Sequence, residues 1–286
     1  MTTCITVVAS IVAVAAAVRS TWSPCGVSML STITPFGERA KGNRYRSTVI
    51  WFIVGATTGG ALLGGATALL AVGIHSLDPS TTIVGVLALG AALIAAGSDL
   101  GVRGMTLPVH RRQVNERWLD QYRPWVYGAG FGWQIGTGVA TYITTAAVYL
   151  VIVLGALTGK PLVALTLGIG FGILRGVAVL LTRHLSSPSD LRAFHKRFVD
   201  AGEAVGRAVV AVEAVAAATI ALVLGSPVAV AMVGAVVIAA TVSLAHSKRH
   251  GRVKASICPV PNREASLATP GPSRGPVAAK VSDGVS

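Results

Sequence analysis

Apolar and polar positions fall in long blocks along this chain, not in the alternation of a half-buried strand. Seven mostly apolar runs stand out, over 5–33, 47–74, 81–102, 126–156, 161–182, 203–224 and 227–246. A helix needs about 20 such residues to cross the hydrocarbon of a bilayer. The pattern therefore predicts an all-α integral membrane protein of about seven transmembrane helices. The last two runs are read as separate spans. Between Ala208 and His246 the one ionisable interior residue is Glu213. A single helix of that length would reach nearly ~60 Å at about 1.5 Å per residue, and Gly225-Ser226-Pro227 supplies the natural break.

The polar segments alternate in charge. Arg39, Lys41, Arg44 and Arg46 lie in the first, and the second, His75 to Ser80, has no Lys or Arg. The third carries Arg103, Arg111, Arg112, Arg117 and Arg123, and the fourth only Lys160. The fifth carries Arg183, Arg192, Lys196 and Arg197, the sixth none, and Lys248, Arg249, Arg252 and Lys254 follow the last run. The positive-inside rule then puts the amino terminus outside and the carboxy terminus in the cytoplasm, in the cell (inner or plasma) membrane. Trp118, Tyr122 and Trp125 in the third segment suit an interfacial aromatic anchor. Residues 247–286, rich in Pro, Ser and Gly, are expected to form a disordered basic tail behind a membrane domain over 1–246.

Composition supports this reading. Of 286 residues, 52% are hydrophobic and only 12% charged, where soluble domains carry about 25% charged residues. The net charge of +13 lies between apolar runs instead of on one folded face, so lipid is the expected partner and nucleic acid is not. No Lys or Arg precedes Arg19, so the first run reads as a retained span, not a signal peptide. The three cysteines, Cys4, Cys25 and Cys258, form no CxxC pair and no zinc spacing. No metal or other cofactor is expected, and no soluble-enzyme signature is present.

Three runs carry glycines at fourth positions: Gly55/Gly59 and Gly60/Gly64, Gly128/Gly132/Gly136, and Gly168/Gly172/Gly176. Such stripes let backbones approach closely in lipid, and Gly130 and Gly138 add looseness to the fourth run. Ionisable groups at membrane depth are costly and mark either interhelical pairs or a polar pathway. Asp99 with Arg103, and Glu203 with Arg207, read as snorkelling pairs at the required spacing. Arg19, Arg175 and Glu213 lie deeper without a local partner, and Arg175 and Glu213 are expected to face one interior.

The first run contains Trp22-Ser23-Pro24-Cys25-Gly26. Pro24 should break the helix, leaving Cys25 beside a bent backbone. There the thiol is either a small packing group or, given positive potential, a redox nucleophile. Ser-Pro-Cys followed by a basic loop resembles the cytochrome c biogenesis thiol-disulfide transporters (CcdA) and the membrane domain of their relative DsbD. Gly130-Phe131-Gly132-Trp133-Gln134-Ile135-Gly136 looks like that family's second cysteine segment. The resemblance implies two inverted three-helix repeats, about 5–102 and 126–224, with 227–246 as an extra helix. Aligning Trp22 with Trp133 sets Thr34 opposite Thr145 and Cys25 opposite Gly136, so the second membrane cysteine is absent.

Three roles stay open, in this order. The first is transport of a small solute or ion, an anion on the strength of Arg19 and Arg175, with Trp133 and Gln134 also lining the pathway. The second is thiol redox by Cys25 with an exported thiol protein. The third is a noncatalytic membrane scaffold or subunit.

Overall fold

A computed structural model describes residues 1–102, 122–140, 143–225 and residue 234. They belong to one compact unit, Met1–Ser243, and every regular element among them is helical. In chain order these are α1 (Thr2–Ser20), α2 (Pro24–Thr32), α3 (Pro35–Ala40), α4 (Tyr45–Leu77) and α5 (Thr81–Asp99). After the undescribed 103–121 come α6 (Pro124–Gly136), α7 (Ala147–Leu157), α8 (Pro161–Val177) with a 3₁₀ extension over Ala178–Thr182, and α9 (Pro188–Leu224). The predicted seventh span apart from residue 234, the tail, Arg103 and Trp118 lie outside the described residues.

Among the described residues, five helices are long and apolar enough to cross a membrane: α1, α4, α5, α8 with its extension, and α9. Two predicted spans are corrected. The run 5–33 is not one helix, because the chain turns at Thr21–Ser23 and again before Pro35. The run 126–156 is likewise two helices, α6 and α7, and α7 is only 11 residues long. Gly138 explains the second break, since it follows α6 with φ +68°, a left-handed backbone that ends a helix.

Local chemistry sets these ends. Pro24, Pro35, Pro124, Pro161 and Pro188 each open a helix, where the missing N–H is no loss and φ is already helical. The hydroxyl oxygens of Ser23, Thr34 and Ser80 accept from the amides of Gly26, Gly37 and Ile83. Ser187 and Asp190 form a reciprocal capping box. Helix α9 closes on Gly225 at φ +63°.

Helix α4 is the centre. Its most extensive neighbours are α8 and α6, while α5 packs on α9, and α1 packs on α7, α8 and α9. The fourth-position glycines explain the first two contacts. On one face of α4, a Cβ on Gly55 would strike the Ala129 carbonyl of α6, and one on Gly59 would lie 2.8 Å from the Thr137 amide. On the next face, a Cβ on Gly60 would lie 2.8 Å from Gly172 Cα and one on Gly64 2.6 Å from the Leu165 carbonyl, both on α8. Gly132, Gly136 and Gly168 meet α4 backbone in the same way. Beside this spine lie two apolar clusters. One joins α1, α5, α7 and α9 through residues such as Val12, Leu89, Leu154 and Ile220. The other gathers Met29, Ile33, Phe52, Phe131, Val179 and Phe198.

Candidate functional site

The breaks in the two corrected spans meet one side chain. Arg175, on α8, is 2% exposed. Its Nη1 donates to the Ile135 carbonyl, near the end of α6, and its Nη2 donates at 3.3 Å to the carbonyl of Ser20, the last residue of α1. The carbonyls at a helix end carry the negative end of the helix dipole, and these two otherwise accept only the turn amides of Ser23 and Gly138, at 3.1 and 3.2 Å. A guanidinium with donors in a fixed fork serves two such ends at once. Its carbon lies 5.7 Å from the Phe171 ring centroid.

Cys25 shares this place. It stands in the first turn of α2 behind Pro24, is 2% exposed, is in no disulfide, and lies within reach of the Arg175 charge. Arg19 turns elsewhere. It is half-buried, with its guanidinium against Gly206 of α9. Next to it, Trp22 stacks on Phe198 at 4.3 Å and donates from its indole N–H to the Phe198 carbonyl at 2.7 Å.

A second polar group lies where α5, α7 and α9 approach. Asp99 ends α5 and reaches the start of α7, where its Oδ1 accepts from the Ala146 amide at 2.7 Å and its Oδ2 from the Thr145 hydroxyl. A carboxylate at a helix amino end satisfies orphan amides and complements the dipole. Asp99 is therefore not simply a snorkelling surface acid, as its spacing to Arg103 suggested. Glu213 of α9 is 0% exposed, and both its oxygens lack a hydrogen-bond partner. The Asp99 charge reaches Glu213, and the Arg19 charge reaches Asp99.

Arg175 and Glu213 thus have different surroundings: carbonyl ends of α1 and α6 for the first, and no hydrogen-bond partner for the second. Trp133 and Gln134 join neither group. Trp133 is 42% exposed. Gln134 is half-buried, and its carbonyl accepts from the Thr137 hydroxyl. Glu203 and Arg207 are both exposed on α9.

One buried acid was not anticipated. Glu38 of α3 is 0% exposed, and its Oε2 accepts from Thr48 of α4 at 2.7 Å and from the Tyr127 hydroxyl of α6. Asn43 donates to that same hydroxyl at 3.4 Å. Thr34-Pro35, a cap-and-start signal, was the available clue that Glu38 belongs to a helix rather than to a solvated loop. Among the described residues no three His, Cys, Asp or Glu side chains gather as a metal site.

Fold and site together describe a helical protein with membrane-length helices, broken helices and charges held inside. Five curated proteins match the sequence, all named methylamine utilization protein MauF. The relative in Methylophilus methylotrophus is 31% identical over 166 residues, which is 56% of this chain and 53% of the relative. That in Paracoccus versutus is 31% identical over 169 residues, 57% of this chain and 60% of the relative. That in Methylorubrum extorquens is 36% identical over 140 residues, 46% of this chain and 47% of the relative. The chain spans about half the length of the curated relatives it matches. No family model matches, and no solved structure does. These relatives overturn the resemblance to the CcdA and DsbD thiol-disulfide transporters. The motifs behind it, Ser23-Pro24-Cys25 and Gly130 to Gly136, are short, and Pro-started and Gly-rich segments recur in any broken membrane helix.

Proposed function

We propose that this chain is a multi-span membrane component of methylamine utilization, with a role like that of the MauF relatives. The observation that carries the reading is the run of 140 to 169 residues shared with MauF proteins of several organisms. The membrane-length helices agree with it. The relatives' name speaks of no transport, so the anion pathway through Arg19 and Arg175 is not carried forward. Cys25 is also set aside as a redox centre, because a thiol 2% exposed offers an exported partner no surface to attack.

In this reading Arg175 and Asp99 are positioning residues that hold broken helices together inside the bilayer. Helices α4, α5, α8 and α9 cross it with the basic segments on the cytoplasmic face. The reciprocal packing supports a division into two related halves: α4 with α8, α5 with α9, and α1 with α7. The test is complementation. A Paracoccus denitrificans strain lacking its own MauF, given this chain, should grow on methylamine while growing equally with or without it on an unrelated carbon source. Absence of rescue by a chain shown to be present in the membrane would reject the reading. Cys25→Ser should rescue as well as the unaltered chain.

A further inference from the structure

Glu213 has no task in the packing described above. Val209, Ala216, Ala217 and Ile220 flank it on α9, all buried, and the helix packs there on α1 and α5. Neither carboxyl oxygen receives a hydrogen bond, and the buried Thr144 hydroxyl beside Thr145 also has no partner. An ionised carboxylate in that place is an uncompensated charge, whereas a carboxyl holding its proton is not.

The charged groups around it come from two neighbouring helices. Helix α5 brings Asp99, whose oxygens are already engaged by Thr145 and the Ala146 amide. Helix α1 brings Arg19, set against Gly206 earlier on α9. The segment leading into α7 brings the hydroxyls of Thr144 and Thr145, and on α9 itself Glu203 and Arg207 are exposed. Beyond Glu213, Ala217, Ile220 and Ala221 belong with Ile5, Val8 and Val12 to one buried apolar cluster. Charge therefore lies on the Arg19–Asp99 side and apolar packing on the other.

We propose that Glu213 is a reversible proton-binding site, with its carboxylate taking up one proton that arrives and leaves from the Arg19–Asp99 side. A proton fits better than a metal cation, which needs several ligating groups, because among the described residues no three His, Cys, Asp or Glu side chains gather there. This inference does not rest on a role in methylamine utilization, and its test involves no methylamine.

The probe is dicyclohexylcarbodiimide, an apolar reagent that captures protonated carboxyls, applied to the full chain in lipid nanodiscs and read by peptide mass spectrometry. An adduct is expected on Glu213, and Glu213→Gln should lose it. Its rate should fall about tenfold per pH unit once the carboxyl is mostly ionised. Asp99→Asn should move that fall to lower pH, because a neighbouring negative charge has been removed. Three results would overturn the proposal: no adduct on Glu213, an adduct rate that ignores pH, or a fall unmoved in Asp99→Asn. Protection by sodium at fixed pH would also overturn it, in favour of a metal-cation site.

Discussion

Along the glycine stripes where α4 meets α6 and α8, backbone packs on backbone; at the helix ends, polar side chains bridge from one helix to another. The first region depends on missing atoms, since a single methyl on Gly60, Gly64 or Gly168 has nowhere to go. The second depends on added polar atoms at helix ends, with Asp99 on the start of α7 and Arg175 on the ends of α1 and α6. In lipid the hydrophobic effect does not drive helices together. One region replaces it with close van der Waals packing, the other with hydrogen bonds that have no water to compete with them. The glycine region should therefore fail by steric overlap and the charged region by lost partners.

The comparison is broken most sharply by paired glycine substitutions. Gly168→Ala should destabilise by roughly 1–3 kcal/mol, the usual cost of overpacking, because its new methyl meets only α4 backbone. Gly170→Ala, two residues away and facing open space, should be neutral or gain about 0.4–1 kcal/mol. Thermal unfolding of both in the same detergent checks this pair. Arg175→Leu comes next. It removes two hydrogen bonds from carbonyls that keep only the Ser23 and Gly138 amides, and at about 0.5–1.5 kcal/mol for each bond should cost about 1–3 kcal/mol by the same measurement. Asp99→Ala removes the acceptor at the start of α7 and should cost about 0.5–2 kcal/mol. Trp22→Phe keeps the stacking on Phe198 but loses one hydrogen bond, and should cost about 0.5–1.5 kcal/mol.

The two regions were not equally legible from sequence. Glycines at fourth positions on one helix have one packing meaning, so the close faces of α4, α6 and α8 could be read from spacing. Proline at the first helical position marked the starts of α2 and α8 in the same local way. The charged region depends on which helices meet, and that is not local. Arg175 and Glu213 were legible as deep charges, but their neighbours come from residues far away in the chain. Arg103, one helical turn on, offers Asp99 a local partner in the sequence, while the amide that Asp99 serves belongs to the distant Ala146. The run 126–156 was read as one span because apolar content alone does not register a left-handed glycine at position 138. Glu38 escaped notice because its basic neighbours made the segment look solvated.

The central claim is that α4 and α9 cross a bilayer outwards and α5 and α8 inwards, so that charges such as Arg175 are held inside it. The most direct test places single cysteines in an otherwise cysteine-free chain at Lys41, Ser76, Lys160 and Ser186, and labels intact cells with an impermeant maleimide. The account predicts labelling at Ser76 and Lys160, with Lys41 and Ser186 reached only after the cells are opened. Labelling of all four in intact cells, or of Ser76 without Lys160, would contradict it.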